Sequence, residues 1–335
     1  MKPALALLTA LLPLTVYAAD AKWARVTSAH FDVYTSESEG EAKSALTHLE
    51  AARAFFLAAT HSHDPGEKPV RIVVFHSEAV YAKYRPDEVL SAKAYGQAAG
   101  TVPATIVVLG LKSDMYEQVF REYTQLVLDD SAPTLPYWFR AGLSMVYSTV
   151  KPGDTGMSIG APPRGSFRTD AAANVSLPLL FGVNREALLA SREKGALDFN
   201  FYLTNTGSST EQLAASPSRD PGGAASNALA TVQSRLGQSH ARAAWMLVHM
   251  LIFHAEYRPR FGEFMRTLAA GTETGAAFNR VYGEPVGKVQ TDLITYWNQT
   301  RIMVIIAPLK FEKTTAAEVH PVTNEERDQI LATLK

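Results

Sequence analysis

Two β-branched runs that alternate with amphipathic segments constrain most strongly what this chain can fold into. Val70–Phe75 and Thr105–Leu109 are rich in Val and Ile, and residues 22–35 alternate apolar and polar side chains, so all three segments predict strands. Glu39–Thr60 carries apolar residues at three- and four-residue steps, which predicts a helix, and a shorter helix is predicted at Ser77–Tyr84. The order β-α-β-α-β therefore predicts a small layered sheet with helices packed on it.

The remainder of the chain is predicted to be mostly helical. One helix is predicted from Ser113 to about Leu128, where Asp114 and Glu117 have the D-x-x-E form of a capping box. A second runs from Pro136, a residue favoured at the first helical position, to about Val150. Further helices are predicted at 235–257, 259–269, 273–282 and 285–300. The predicted fold class is α+β, with a small N-terminal sheet, a helix pair and a helical C-terminal subdomain.

The N-terminus has the features of a cleaved secretory signal. Lys2 precedes a nearly unbroken apolar run, and small residues follow at Ala18-Ala19. The run is shorter than the roughly 20 apolar residues that a spanning helix needs. We therefore expect export to the periplasm or the extracellular space, with no transmembrane span after cleavage.

Six segments are predicted along the chain. They are a signal peptide (1–19), an α/β sheet subdomain (20–112), a helix pair with its following loop (113–200), a flexible Ser/Gly/Pro-rich insertion (203–232), a helical subdomain (233–305) and a tail of no evident role (306–335).

Composition excludes several classes of function. The net charge is −1 and no Lys/Arg-rich run is interleaved with aromatic residues, so nucleic acid is not an expected partner. The chain has no cysteine, which removes thiol nucleophiles, Cys-rich zinc sites and iron–sulfur clusters. Nucleotide-binding glycine loops and a G-x-S-x-G nucleophile elbow are also absent from the sequence.

The helix at 113–128 has the layout of a zinc-protease helix without its ligands. In H-E-x-x-H, two imidazoles at i and i+4 bind zinc and a neighbouring carboxylate acts as general base. Here Arg121 and Gln125 occupy the imidazole positions, and Glu122 occupies that of the base. On a helical wheel these three residues lie opposite the apolar side, where either cleft-facing or ordinary solvated groups are found.

The segment that follows resembles a known family. Leu135-Pro136-Tyr-Trp138-Phe-Arg-Ala141-Gly142-Leu143 is similar to the third-ligand segment of the gluzincin-type, peptidase-MA-like family of bacterial exported proteins, many of unknown function. That family has His-Glu-Tyr-x-His followed by Leu-Pro-x-Trp-Leu-x-Glu-Gly-Leu-Ala. Other segments of the chain also match the family in their order and spacing, and together they extend the resemblance over most of residues 22–300.

The resemblance implies a gluzincin-like fold in which all three zinc ligands are replaced, by Arg121, Gln125 and Ala141. A guanidinium repels a cation, a glutamine is a weak ligand and an alanine offers none, so no metal or other cofactor is expected. A guanidinium, from Arg121 or Arg140, would supply the positive charge that the zinc no longer gives Glu122. Arg121 would then lie across the small residues Ala141, Ser144 and Ser148 of the second helix.

The resulting hypothesis is a catalytically inactive, metallopeptidase-like protein that binds a peptide or another protein in the former active-site cleft. Glu122 is a vestigial base, and the cleft is predicted to include Arg140, a partly exposed Trp138 and Ser144. One alternative is a hydrolase that uses Glu122 with other partners, and another is a structural protein of the cell envelope.

Other polar residues give weaker predictions of function. Asp129-Asp130 is interpreted as a solvated helix end, His249 as a buried and hydrogen-bonded histidine, and His61-Ser62-His63 as a turn whose imidazoles are solvated. Arg164 and Arg168 offer a weak anion site, and Asp220 lacks the spacing of a calcium loop.

Overall fold

The computed structural model describes residues 22–65, 67–84, 93–95, 103–112, 115–163, 176–182, 240–298, 304–307 and 317–334. The predicted signal peptide, the insertion at 203–232, the cap at Asp114, and Arg164, Arg168 and Asp220 lie outside these residues. The described part is a mixed α+β structure with a small N-terminal sheet and helices, which confirms the predicted class.

The elements are numbered in chain order. The strands are β1 (Ala24–Thr27), β2 (Phe31–Thr35), β3 (Val70–Phe75), β4 (Lys93–Tyr95), β5 (Thr105–Leu109), β6 (Lys151–Gly153), β7 (Gly156–Ile159), β8 (Ile305–Ala307) and β9 (Glu318–Pro321). The helices are α1 (Glu39–Thr60), α2 (Glu78–Tyr81), α3 (Met115–Ser131), α4 (Tyr137–Ser148), α5 (Leu177–Gly182), α6 (described over 240–253), α7 (Phe261–Ala269), α8 (Thr274–Tyr282), α9 (Val286–Trp297) and α10 (Asn324–Ala332).

The first sheet has the strand order β4-β5-β3-β2-β1-β9. Its centre, β2-β3-β5, is parallel, and β1, β4 and β9 pair antiparallel with their neighbours. Side chains of a strand alternate between the two faces, so Ile72 and Val74 of β3 join the main core while Val73 and Phe75 belong to a second cluster. The central strands β3 and β5 are buried on both faces, as their continuous apolar runs predict.

The C-terminal tail completes this sheet, so the prediction of a tail without a role is wrong. Strand β9 pairs with β1, and α10 places Ile330 and Leu334 in the cluster on the second face of the sheet. The tail was missed because Glu318–Pro321 has no β-branched run and gains its partner from nearly 300 residues away. Its contribution depends on pairing, which local sequence does not encode.

A smaller sheet, β6-β7-β8, follows the helix pair. Strands β6 and β7 form an antiparallel hairpin within the segment predicted as the loop after the helix pair. The helices at 259–269, 273–282 and 285–300 are confirmed within a few residues as α7, α8 and α9. In the described part of the chain, no helix combines the length and the apolar character needed to cross a membrane.

Helices α3 and α4 form the predicted pair, although α3 continues to Ser131 rather than ending near Leu128. A close approach fixes α4 against α6. A Cβ atom added to Gly142 would lie 2.7 Å from the carbonyl carbon of Ala244 and 2.7 Å from Cγ2 of Val248. Only glycine allows the two backbones to come this close.

Candidate functional site

Glu122 is buried between elements of the core rather than solvated. Its side chain is 4% exposed, and Arg121 Nε lies 3.4 Å from Glu122 Oε1. The Arg121 side chain is 22% exposed, so its guanidinium neither points into open water nor reaches full burial. Arg121 is therefore the arginine that lies beside Glu122. That its charge stands in for a zinc ion stays a prediction. Glu122 is not solvated, whereas Arg121 and Gln125 are of intermediate exposure.

Arg140, the other arginine considered, forms an ion pair with Asp129 at the far end of α3. This contact joins the last turn of α3 to the first turn of α4. Asp130 lies beside it and pairs with His63, with 3.1 Å between His63 Nε2 and Asp130 Oδ2. The two aspartates thus pair with neighbouring elements at an exposed helix end. The Asp129 side chain is 40% exposed and that of Asp130 27% exposed, which agrees with their interpretation as a solvated helix end.

The predicted cleft residues on α4 are buried. Trp138 and Ser144 are 0% exposed, which corrects the expectation that Trp138 is partly exposed. The indole Nε1–H of Trp138 donates to Thr274 Oγ1 at 3.2 Å, because α8 packs over this end of α4. The Ser144 hydroxyl donates to the Arg140 carbonyl oxygen of its own helix at 2.8 Å. Neither side chain presents a polar group to a ligand from this position.

Ala141, the third position at which the resemblance implies a ligand, is 7% exposed. Arg121 carries a positive charge, Gln125 a neutral amide, and Ala141 only a methyl group. Zinc needs three good protein ligands drawn from imidazole, thiolate or carboxylate, so these three positions do not fit the metal that the resemblance implies. Across the described residues, no group of three or more His, Asp or Glu side chains is arranged to hold a metal ion.

The opposite side of α3 carries a polar network that the sequence did not reveal. Asp64 Oδ1 accepts hydrogen bonds from Arg53 Nε at 2.7 Å and from the Tyr123 hydroxyl at 2.9 Å. Burial alone would raise the pKa of Asp64, but the hydrogen bonds from Arg53 and Tyr123 lower it. The network ties α1, α3 and the loop after α1 together.

A second buried carboxylate on α1 is satisfied in a similar way. Glu50 accepts hydrogen bonds from the Ser28 hydroxyl at 2.7 Å and from the His30 backbone N–H at 3.0 Å, and His30 Nδ1 lies 2.8 Å from its other oxygen. These contacts attach the β1–β2 turn to α1. A polar residue on the buried side of a helix was the available signal, since Glu50 lies four residues after the buried Leu46 on the core-facing side of α1.

Three histidines on the helices are held by contacts with neighbouring elements. His249 is fully buried, with Nε2 3.0 Å from the Gly160 carbonyl oxygen and Nδ1 2.9 Å from the Tyr296 hydroxyl, which confirms its predicted role. His48 of α1 lies against Tyr116 of α3, and burial together with the charge of Lys151 lowers the pKa of His48 to about 4. Burial also lowers the pKa of His240, which stacks on Tyr137, to about 4.

Helices α3 and α4 thus pair as predicted. Their polar side chains contact other parts of the protein and are not arranged to bind a metal. Comparison of the chain with protein-family models and with curated proteins finds no match.

Proposed function

We propose that this chain is an exported, catalytically silent relative of the gluzincin metallopeptidases that acts by binding a peptide or another protein. The observation that carries the proposal is the Arg121–Glu122 pair. It stands where the family has a zinc ligand and its general base, and the carboxylate is 4% exposed.

The arrangement argues against a hydrolase that uses Glu122. A general base must lie within hydrogen-bond reach of the water or substrate proton that it removes. Glu122 is withdrawn from solvent and already has a guanidinium beside it. Its charge is compensated inside the protein, as expected for a former base retained for packing.

Binding is supported by a polar stripe that remains half-exposed on α3. Gln118, Arg121 and Gln125 recur at steps of three and four residues and are all of intermediate exposure, whereas Val119, Phe120 and Tyr123 are buried. Amide and guanidinium groups are hydrogen-bond partners for a peptide backbone. This α3 stripe is the surface on which we place the ligand.

Restoring the zinc ligands tests the proposed relationship. The variant R121H/Q125H/A141E should retain close to one zinc per chain after dialysis, as measured by mass spectrometry, because its helices would present two imidazoles and a carboxylate. The wild-type chain should retain none. The matched control R121H/Q125H/A141Q has the same bulk without the third carboxylate and should retain much less.

Two results would contradict the proposal. Zinc held by the wild-type chain would show that the site is not silent. A triple variant that is folded by circular dichroism but binds no more zinc than the control would show that α3 and α4 lack gluzincin geometry.

A further inference from the structure

We infer that β9 and α10 form a strap that opens as one unit, and that the sheet surface beneath the strap then binds another strand–helix segment of the same acidic chemistry. The strap comprises residues 318–334. The surface is the second face of the first sheet, and its buried apolar residues include Tyr34, Val73, Phe75 and Val107. Helix α3 packs on the opposite face, so this inference goes beyond the proposed function.

Strand β9 holds the strap by a short edge pairing. It pairs antiparallel with β1 over four residues, and it is the last strand in the order of the described sheet. Most of its residues are exposed, whereas every residue of β3 except Arg71 is buried. Local openings occur where few apolar side chains are buried and backbone hydrogen bonds are exposed to solvent. Strand β9 has both properties.

Helix α10 adds little packing of its own. Over residues 324–334, only Ile330 and Leu334 are buried, and Leu331 is partly buried beside them. The first two turns of the helix carry the exposed Glu325 and Asp328. The apolar burial that opposes opening is therefore confined to one end of the helix.

The strap carries local structure that links its two elements. Val322 and Thr323 are the only residues between β9 and α10. The Thr323 hydroxyl oxygen accepts a hydrogen bond from the Glu326 backbone N–H at 3.1 Å, which caps the helix from within the strap. The Val322 backbone N–H donates to the Trp23 carbonyl oxygen at 3.0 Å. Because two residues span only a short distance, neither element can move far while the other stays bound, and we expect them to open together.

The second face has contacts of its own that do not involve the strap. The Phe75 ring lies 6.2 Å from that of Trp23, 6.1 Å from that of Tyr81 and 5.1 Å from that of Tyr84, measured between ring centroids. Strands β2, β3 and β5 also hold one another in parallel pairs. Opening of the strap therefore exposes a formed apolar surface, and contiguous surfaces of this kind mark interaction sites.

The charges beside this surface favour an acidic occupant. The guanidinium carbons of Arg25 and Arg71 lie 5.5 and 5.6 Å from the centre of the Tyr34 ring. Burial lowers the pKa of Arg25, whereas its hydrogen bond to Asp32 and, more weakly, the charge of Glu326 raise it, and the net change is a rise. Glu326 of α10 is therefore close enough to attract Arg25. A carboxylate in the first turn of a docked helix meets this cation.

The segment that the second face already binds defines what a partner must offer. The charged residues of the strap are four carboxylates and one arginine, at Glu318, Glu325, Glu326, Asp328 and Arg327. Ile330 follows Glu326 by four residues, so the two lie on the same side of the helix. The partner segment is thus a strand that pairs with β1, followed by a helix with an acidic first turn and an aliphatic residue one turn later.

A fluorescein-labelled peptide of residues 317–334 tests whether the surface becomes accessible. Added to the full chain, it should bind saturably in fluorescence anisotropy, because it competes with the strap for the same surface. The chain has no cysteine, so one introduced disulfide can hold the strap closed. Thr27 and Glu318 stand directly opposite each other in the β1–β9 register. Oxidised T27C/E318C should bind the peptide at least tenfold more weakly than the same variant after reduction.

A matched control places the disulfide in another antiparallel pair. Lys151 and Ser158 are directly opposite each other in the β6–β7 hairpin. K151C/S158C should therefore bind the peptide equally in its oxidised and reduced states.

Changes in the peptide test the chemistry of the occupant without altering the fold of the chain. E326Q in the peptide should weaken binding at least threefold, and I330A should weaken it at least tenfold. D328N should change binding less than twofold, because the Asp328 carboxylate pairs with its neighbour Arg327 inside the strap. Equal binding of E326Q and the unchanged peptide would overturn the preference for an acidic occupant.

Hydrogen exchange of the full chain, followed by mass spectrometry, tests the opening itself. Fragments from β9 and α10 should exchange at the same rate and at least tenfold faster than fragments from β3, and the T27C/E318C disulfide should slow both. Exchange of α10 without β9, or rates equal to those of β3, would overturn opening as one unit. Failure of the peptide to bind, or binding that persists in the oxidised variant, would overturn the docking surface.

Discussion

Helix α3 has two polar sides, and they are built differently. On the α1 side, Asp64 joins Arg53 of α1 and Tyr123 of α3 across separations of 11 and 59 residues. On the side of Arg121 and Gln125, Arg121 pairs with Glu122, its neighbour in the chain. The first arrangement links elements, and the second brings a cation and a carboxylate together within one turn.

The difference teaches how one helix can use its polar residues in two ways. Helices α3 and α4 are joined by the Arg140–Asp129 ion pair, whereas the close approach at Gly142 fixes α4 against α6. On the α1 side, the Asp64 carboxylate bridges two helices, so its removal breaks a contact between elements. We therefore expect substitutions on the α1 side to cost more stability than substitutions at Arg121 and Glu122.

The largest effect is expected for Asp64→Ala. Arg53, whose side chain is 13% exposed, would lose its counter-charge, and the Tyr123 hydroxyl would lose its acceptor. The Asp64 side chain is 31% exposed, so the pair is partly buried, and loss of its charge-assisted hydrogen bonds should cost about 3 kcal/mol. Urea unfolding should show this loss, and D154A, at an exposed turn position, should stay within about 0.5 kcal/mol of the wild type. A small loss for D64A would remove the contrast between the two sides.

Smaller losses are expected at Arg121 and Glu122, and they should be unequal. Arg121→Gln withdraws a compensating cation from a carboxylate that water does not reach, and should cost about 2 kcal/mol. Glu122→Gln leaves a partly exposed guanidinium that can extend to solvent, and should cost about 1 kcal/mol. Free energies of unfolding from urea titrations of D64A, R121Q and E122Q test this order. If E122Q were as costly as D64A, Glu122 would link elements in the way that Asp64 does.

The smallest effect at neutral pH is expected for His48→Gln, and it should change with pH. The pKa of His48 is about 4 in the folded chain and near 6.5 when unfolded, so folding favours the neutral ring. The stability that this provides is complete above about pH 6.5 and is lost as the pH falls towards 4. H48Q should therefore show a shallower decline in unfolding free energy between pH 7 and pH 4.

His240 has a similarly lowered pKa and remains in the H48Q variant, so part of the decline should persist. An unchanged slope would mean that His48 is solvated in the folded chain. The α1 side of α3 would then be exposed to solvent to a degree similar to the α3 stripe.

Most of the helices and central strands could be predicted from the sequence, because their periodicity is a local property. Glu39–Thr60, Val70–Phe75 and Thr105–Leu109 begin and end where the pattern of apolar residues predicts. The edge strand Glu318–Pro321 could not be predicted in this way, because its partner is remote and its side chains do not alternate clearly.

The chemistry of the residues at the candidate site could be predicted from the sequence, but their burial and contacts could be predicted less well. Arg121, Gln125 and Ala141 are unsuitable for zinc whatever their surroundings, because residue type alone decides what can bind a metal. The burial of Trp138 could not be foreseen, since it follows from α8 packing over α4 and supplying Thr274 as acceptor. The acceptor lies 136 residues further along the chain.

The sequence by itself determined the main elements, the absence of thiol chemistry and the unsuitability of Arg121, Gln125 and Ala141 for zinc, because each depends on residue types and their local spacing. Only the tertiary structure decided that Glu122 is buried beside Arg121 and that Asp64 joins α1 to α3. These depend on which surfaces meet, and burial and long-range pairing arise only when the chain packs.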